Sequence, residues 1–444
     1  MQKKKAYAVS TAHLDTVWRW DLRKTIEEYL PDTLRKNFDL IERYPDYCFN
    51  FEGAFRYQLI EEYYPLAFAE IQNLVKRGNW YPAGACYENG DVNIPSPEAL
   101  FRNILLGNRY FQEKFGVQSK DIFLPDCFGF GQALPSVMKY AGLLGFTTQK
   151  LSWGSAYGVP FTLGYWQGVD GSRVLACPNA RSYRSKFSGD LRGEVSVIDD
   201  VAKNAFEGGL PYAQHLYGTG DVGGAPTEES VQNVCASAAE NGQKDFDVIS
   251  AKSDQIFKDI DALPDNDKDR LPVWNNELLM TSHGAGGYTA RAMGKRLNRQ
   301  CEVLADVAES TLSTAELLGV YTYPQETVTK AWERLIQHQF HDDLPGTSNM
   351  DIYNTGWNDY HTSLVQLQGE YTGAVAAIAN QLDTQWVTDC ALIVHNPLPF
   401  ARTESVEAHV RLNHNGKYLR VLDRDGNELP SQVIRKEGKA FHMA

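Results

Sequence analysis

The stretch STAHLDTVWRWD, residues 10–21, sets His13 and Asp15 two positions apart at the end of a run that reads as a β-strand. An imidazole and a carboxylate are both good ligands for a divalent cation. Three further segments hold groups of the same kind. PDCFGFGQALPS, residues 125–136, places Asp126 between Pro125 and a Gly129/Gly131 turn; GTGDVGGAP, residues 218–226, sets Asp221 among glycines; HQFHDDLPGTS, residues 338–348, carries His341 and Asp342 where a helical pattern must turn sharply. His13, Asp15, Asp126 and His341 together offer two nitrogens and two oxygens, a set that suits Zn²⁺ and admits Mn²⁺ or Co²⁺. Asp126 and Asp221 lie in Gly-rich loops, where backbone without a Cβ lets a ligand come close. Such a pair could serve as the nucleophile and acid of glycoside hydrolysis, one ionised and one protonated. Taken singly, each residue has an ordinary alternative, capping a helix or satisfying a loop. The argument rests on their agreement. The 218–226 loop has no Gly-Lys-Ser/Thr ending, which excludes a nucleotide-binding P-loop. Trp18, Trp20, Phe128, Phe130, Trp153 and Trp166 stand near these segments; core packing accounts for most of them, and Trp18 and Phe128 flank the ligand candidates directly.

The elements that must position these groups follow a pattern. From the start to about residue 278, strand-length apolar runs such as KAYAVST, YCFNFEG, NWYPAGA and DIFLPD alternate with helical stretches such as AFRYQLIEEYYPLAFAEIQNLVKRG and SPEALFRNILLGNRYFQEKFG. Repeated βα alternation implies a parallel sheet, open or closed into a barrel. In such sheets functional groups collect at the carboxyl ends of the strands. His13, Asp15, Asp126 and Asp221 each follow a strand pattern and belong on one face. Ser96, Pro97 and Glu98 read as the N-cap, first residue and first-turn acid of a helix. After residue 288 three long helical patterns appear, at 288–319, 325–340 and 354–383. In the second, Val328, Trp332, Leu335, Ile336 and Phe340 recur at the spacing of a buried face. Three such helices with short joins read as a bundle. From CALIVHNPLPFARTESVEAHVRL onward the chain turns strand-like, and the β-rich part is expected to be incomplete at Ala444.

Composition limits what these groups can serve. A length of 444 residues suggests two to three domains, and 43% hydrophobic content marks a globular chain. A net charge of −13, with Lys3-Lys4-Lys5 as the one short basic run, excludes nucleic acid as the partner. A neutral or polar small molecule fits better. No apolar stretch approaches the roughly 20 residues that span a bilayer. The start MQKKKAYAVSTAHLD enters a strand with no signal-peptide core, so a soluble protein is expected, cytoplasmic or, if a signal was trimmed, periplasmic or secreted. Seven scattered cysteines favour free thiols over a disulfide framework.

The motifs resemble glycoside hydrolase family 38, the class II α-mannosidases. The resemblance is carried in order by HLDTVW (13–18), LPDCFGFGQALP (124–135), TTQKLSW (147–153), YGTGDVGGAPT (217–227), GYTARAMGKRLNR (287–299) and HDDLPGTS (341–348). It implies an α/β chain: a parallel βα barrel-like catalytic domain over 1–287, a three-helix bundle over 288–385 that contributes His341, and the start of an all-β domain over 386–444. It further implies that Asp126 is both nucleophile and metal ligand, and that His13, Asp15 and His341 complete a zinc site. Asp221 falls at the general acid, Trp18 and Phe128 line the sugar site, and Lys150, Tyr288 and Asp342 supply polar contacts. The expected partner is a mannose-containing oligosaccharide or glycan, with a homo-oligomer left open. Two stretches depart from the family pattern. SHGAGGYTARA (282–292) stands where many relatives have His-Arg-Gly-Thr-Tyr-Thr, and CYENGD (86–91) stands where they often have Trp-Val-Glu. The rival functions are a metal-dependent carbohydrate deacetylase and a sugar-binding relative without turnover. The deacetylase should show a His-x-x-x-His pair, and no two of the ten histidines are four residues apart.

Overall fold

The computed structural model describes every residue except Met1, His414, Asn415 and Lys417. Strand Lys4–Ala12 is buried from Ala6 onward, as a parallel strand covered on both faces must be. It pairs in parallel with Tyr212–Thr219 on one edge. On the other edge it pairs first with Phe246–Ser250 and then with Phe49–Glu52, which pairs in turn with Trp80–Ala83. A second sheet sets Asp121–Phe123, Gly145–Thr147 and Arg173–Cys177 in parallel. It is extended by Gly164–Gln167, antiparallel to Arg173–Cys177, and by Val273–Trp274. Backbone hydrogen bonds join the segments that leave these strands: Ala85 N–H, past Trp80–Ala83, donates to Asp121 O at 2.8 Å, and the N–H groups of Leu216 and Gly218 in Tyr212–Thr219 donate to Ala180 O at 2.7 Å and Ser185 O at 3.2 Å, both past Arg173–Cys177.

The helices follow the expected signals with one break. Helix Pro97–Phe115 is capped by the Ser96 hydroxyl, which accepts from Ala99 N–H at 3.2 Å, and it ends at left-handed Gly116. The long pattern at 54–78 is two helices, Ala54–Tyr63 and Pro65–Arg77, because the residue before a proline is pushed out of the helical region. The helix after the first strand runs from Leu22 to Arg43 through a π turn at Thr25–Tyr29. Thr25 anchors that turn: its hydroxyl donates to Thr16 O and accepts from Trp20 Nε1, both at 2.9 Å. All five residues of the predicted face from Val328 to Phe340 are buried.

The chain divides into two compact units, residues 1–302 with 330–363 and residues 303–329 with 364–444. The division cuts across all three long helices, Ala292–Leu317, Gln325–Gln337 and Met350–Ala379. Within the second unit, Ala408–Arg411, Ala440–Met443 and Val433–Glu437 form a three-stranded antiparallel sheet. The strand-like sequence from 390 to 407 forms no regular element. The seven cysteines are free, and burial pushes Cys48 and Cys86 up to about 12. Among the described residues no helix is long and apolar enough to cross a membrane.

Candidate active site

His13 and Asp15 leave the end of strand Lys4–Ala12, Asp126 follows Asp121–Phe123, and His341 follows helix Gln325–Gln337. The structure brings all four together: one ligand atom from each lies within 4.8 Å of the others, and all four residues are buried. His13 Nε2 is 3.0 Å from Asp15 Oδ1; His341 Nε2 is 3.3 Å from the same oxygen and 3.8 Å from Asp126 Oδ2. The imidazole planes of His13 and His341 stack at 5.3 Å.

The cluster fits a divalent cation. His341 Nδ1 lies 2.9 Å from Asn89 O, a carbonyl that can only accept, so Nδ1 carries the hydrogen and Nε2 presents its lone pair inward. That buried Nε2 has no hydrogen-bond partner. His13 makes the matching contact, with Nδ1 2.7 Å from Glu52 Oε1. Histidines that ligate metals are held this way, by an acceptor on the other ring nitrogen. In the protein alone, burial opposes charge on both imidazoles, yet the nearby Asp15 carboxylate, and for His13 also Glu52, pushes their pKa values above the usual range. Asp15 is disfavoured as an anion by burial too, and His13 and His341 outweigh this to hold it below the carboxylate range. A bound cation would satisfy the same carboxylate field. Burial, followed by Asp15, pushes Asp342 up to about 7; its Oδ2 is 3.8 Å from His341 Nε2, and Thr347 Oγ1 donates to its Oδ1.

Asp126 faces a second set of groups. Buried Lys150 places its ammonium on Asp126 Oδ1 and over the rings of Phe128 and Trp153, at 5.4 and 4.7 Å. Tyr183 OH lies 3.3 Å from Asp126 Oδ1 and donates to Asp221 Oδ1 at 2.9 Å. Those two carboxylate oxygens are therefore no more than about 6 Å apart. Arg184, half-exposed, reaches Asp221 Oδ2 from outside. The Gly-rich loop makes this possible: a Cβ on Gly220 would lie 1.9 Å from the Tyr183 ring, and Asp221 itself takes φ +72°.

The remaining predicted residues scatter more widely. Phe128 packs edge-on against His341 at 5.8 Å and against His283 at 5.7 Å. Trp18 is half-buried, with the Arg19 guanidinium 4.0 Å over its ring. Tyr288 stands apart, for its hydroxyl donates to Asp91 and accepts from Asn93 Nδ2 at 2.7 Å. With Phe128 it lines a mainly apolar cavity of about 680 Å³. Phe130 and Trp166 are core residues, fully buried. Sequence reasoning missed Glu52, Asn89, Tyr183, Arg184 and His283. Glu52 ends a strand, so the rule that found His13 and Asp126 could have found it.

Residues 3–277, more than half of the chain, match the family model for the glycosyl hydrolases family 38 N-terminal domain. The chain belongs to glycosyl hydrolase family 38. Residues 283–378 match the alpha mannosidase middle domain. Alpha-mannosidase 2C1 of Homo sapiens is 29% identical over 401 residues, covering 90% of this chain and 37% of that protein. Alpha-mannosidase G of Dictyostelium discoideum is 30% identical over 379 residues, covering 85% of this chain and 34% of that protein. This family 38 chain thus spans little more than a third of the length of those relatives. A solved alpha-mannosidase from Enterococcus faecalis has the same fold, with a TM-score of 0.77 at 19% identity over 99% of this chain and 53% of that one. In this family 38 chain the N-terminal match holds His13, Asp15, Asp126 and Asp221, and the middle-domain match holds His341 and Asp342.

Proposed function

We propose that this family 38 chain is the catalytic part of a metal-dependent retaining α-mannosidase that releases terminal mannose from glycans, with zinc held by His13, Asp15, Asp126 and His341. The observation that carries the reading is the placement of Asp126: one oxygen faces the histidine cluster, and the other shares Tyr183 with Asp221. The Asp126 and Asp221 oxygens that share Tyr183, at most about 6 Å apart, are close enough for the retaining arrangement, in which one carboxylate is the nucleophile and the two carboxyl groups stand roughly 5–5.5 Å apart.

The cation, when bound, would supply positive charge that holds sugar hydroxyls and favours an ionised nucleophile. Asp126 attacks the anomeric carbon and forms a glycosyl ester while the bond to the leaving oxygen breaks. Asp221 gives its proton to that oxygen. Asp221 then takes a proton from water, whose oxygen attacks the anomeric carbon and frees Asp126, so that configuration is retained. Arg184 meets Asp221 from the solvent side, and its half-exposed side chain can leave that oxygen when a leaving group arrives. Trp18 and Phe128 would face the sugar, with Lys150, Asp342 and Tyr288 as polar contacts. Of these, Lys150 and Asp342 touch the cluster directly.

The same proposal includes the finer architecture: a barrel-like domain over 1–287, a three-helix bundle over 288–385 and the start of a β domain over 386–444. The backbone hydrogen bonds between one sheet and the segments that leave the other, the three long helices and the antiparallel strands after residue 407 support it. The family match and the Asp126/Asp221 pair do not favour a deacetylase. Hydrolysis of an aryl α-mannoside by the zinc-loaded chain, followed by proton NMR of the first-formed sugar, tests the reading. The expected product is α-mannose. First release of β-mannose, or no hydrolysis of any α-mannoside, contradicts it.

A further inference from the structure

Two pieces of the chain that the mechanism leaves unused meet directly behind the metal-binding cluster. One is Glu52, at the carboxyl end of strand Phe49–Glu52. The other is the CYENGD segment, one of the two places where this sequence departs from the family pattern. Both are sealed from solvent: Glu52 and Glu88 are 0% exposed and Asn89 is 1% exposed.

Asn89 has an arm to each histidine. Its main-chain carbonyl accepts from His341 Nδ1–H at 2.9 Å and from the His341 backbone N–H at 3.2 Å. Its side-chain amide donates at 3.1 Å to Glu52 Oε1, the oxygen that lies 2.7 Å from His13 Nδ1. Asn89 is itself pinned. Its N–H donates to Glu88 Oε1 at 2.7 Å, and Glu88 is bound by Arg56 at 2.9 Å and Thr16 at 2.8 Å. Arg56 in turn donates through Nε to Leu14 O at 2.8 Å, between the two ligands of the first motif.

We propose that Asn89 and Glu52 form one brace that fixes the tautomer and ring orientation of both His13 and His341, leaving the two Nε2 lone pairs aimed at the cation. They are positioning residues, because neither touches substrate or reacting atoms. The inference rests on the metal site proposed above. It adds that the affinity of this site is set by one linked pair of residues outside it. An acceptor on the far ring nitrogen raises the basicity of the near one and removes the cost of orienting the ring on binding; loss of such a partner lowers metal affinity by about 10–100-fold.

The test measures Co²⁺ and Zn²⁺ affinity of the full 444-residue chain after chelation, with the visible Co²⁺ spectrum as a report on geometry. Wild type and His341→Ala are compared first. If wild type takes up no more metal than His341→Ala, the metal site itself is wrong and this inference falls with it. If wild type binds and His341→Ala does not, the brace is decided by Glu52→Ala, Glu52→Gln and Asn89→Ala. Glu52→Ala should weaken both metals by about 10–100-fold and shift the Co²⁺ bands. Glu52→Gln keeps an acceptor oxygen and should recover part of that loss, while Asn89→Ala, which removes only the arm toward Glu52, should lose less than Glu52→Ala. Circular dichroism of the chelated proteins shows whether each variant folds. Should Glu52→Ala fail to fold, the other two still decide. Wild-type affinity and an unchanged Co²⁺ spectrum in folded Glu52→Gln and Asn89→Ala overturn the brace.

Discussion

Two histidines three residues apart in HQFHDD, both buried and both beside carboxylates, have opposite surroundings. His338 is closed: Nδ1 is 2.7 Å from Asp343 Oδ2 and Nε2 is 2.9 Å from Asp359 Oδ2, so both ring nitrogens are spent on the protein. Two carboxylates on one imidazole require two donors, which is the charged form. Burial resists that charge, but Asp343 and Asp359 overcome it and push His338 up to about 9. His341 is open, with one nitrogen on a carbonyl and the other facing Asp15 and Asp126 without a hydrogen bond. A fully satisfied buried polar group stabilises a fold, whereas an unsatisfied one costs about 1–3 kcal/mol and needs a reason to be there. The cation site proposed above supplies that reason. The same contrast separates Tyr288, whose hydroxyl is taken up by Asp91 and Asn93, from Asp126, which faces two sets of groups at once.

Variants on the two sides of this comparison should fail in different ways. The largest effect is expected at Asp126. Asp126→Asn keeps an acceptor for Lys150 and should fold, while turnover of α-mannosides falls by at least about 10⁴-fold, the scale for a lost nucleophile. Initial-rate kinetics check this; activity within tenfold of wild type would remove Asp126 from the nucleophile role. Asp221→Asn should cost about 10²–10⁴-fold on substrates with a poor leaving group and much less on dinitrophenyl mannosides, which need no acid. Equal losses on both substrates would count against Asp221 as the acid.

The histidine pair sharpens the contrast further. His341→Ala should lose more than about 100-fold in zinc affinity, since it removes a ligand rather than its support, and equilibrium dialysis measures this. His338→Gln should still bind zinc but lose about 2–3 kcal/mol of stability at pH 6 by denaturant unfolding. The smallest effect is its pH dependence. His338 is more basic in the folded than in the unfolded chain, so its contribution is complete below about pH 6.5 and lost as pH rises through about 9. The stability gap between wild type and His338→Gln should narrow across that window. A gap that widened with pH would mean that His338 is buried neutral.

Much of this site was legible because strand ends announce it. His13, Asp15, Asp126 and Asp221 all follow apolar runs, and a parallel sheet sends such positions to one face. Tyr183 and Arg184 were not legible. They follow strand Arg173–Cys177, which the antiparallel neighbour Gly164–Gln167 removes from the βα alternation, and Arg181 takes a left-handed φ of +60° that its residue type does not announce. The fate of Tyr288 depended on Asp91, nearly two hundred positions away, a pairing no local pattern reports. The split at Pro65 was written in the sequence, but the apolar spacing on both sides masked it. Residues 390–407 have strand-like composition and no partner strand, and composition without a ladder does not make a sheet.

The most direct test of the open cluster is to strip the chain with a chelator, add zinc back in measured steps, and follow mannose release from an aryl α-mannoside. The account predicts that turnover vanishes on chelation and returns in proportion to zinc, reaching a plateau at one equivalent per chain. Full turnover in a chain shown to be free of metal would contradict the role assigned to His13, Asp15, Asp126 and His341.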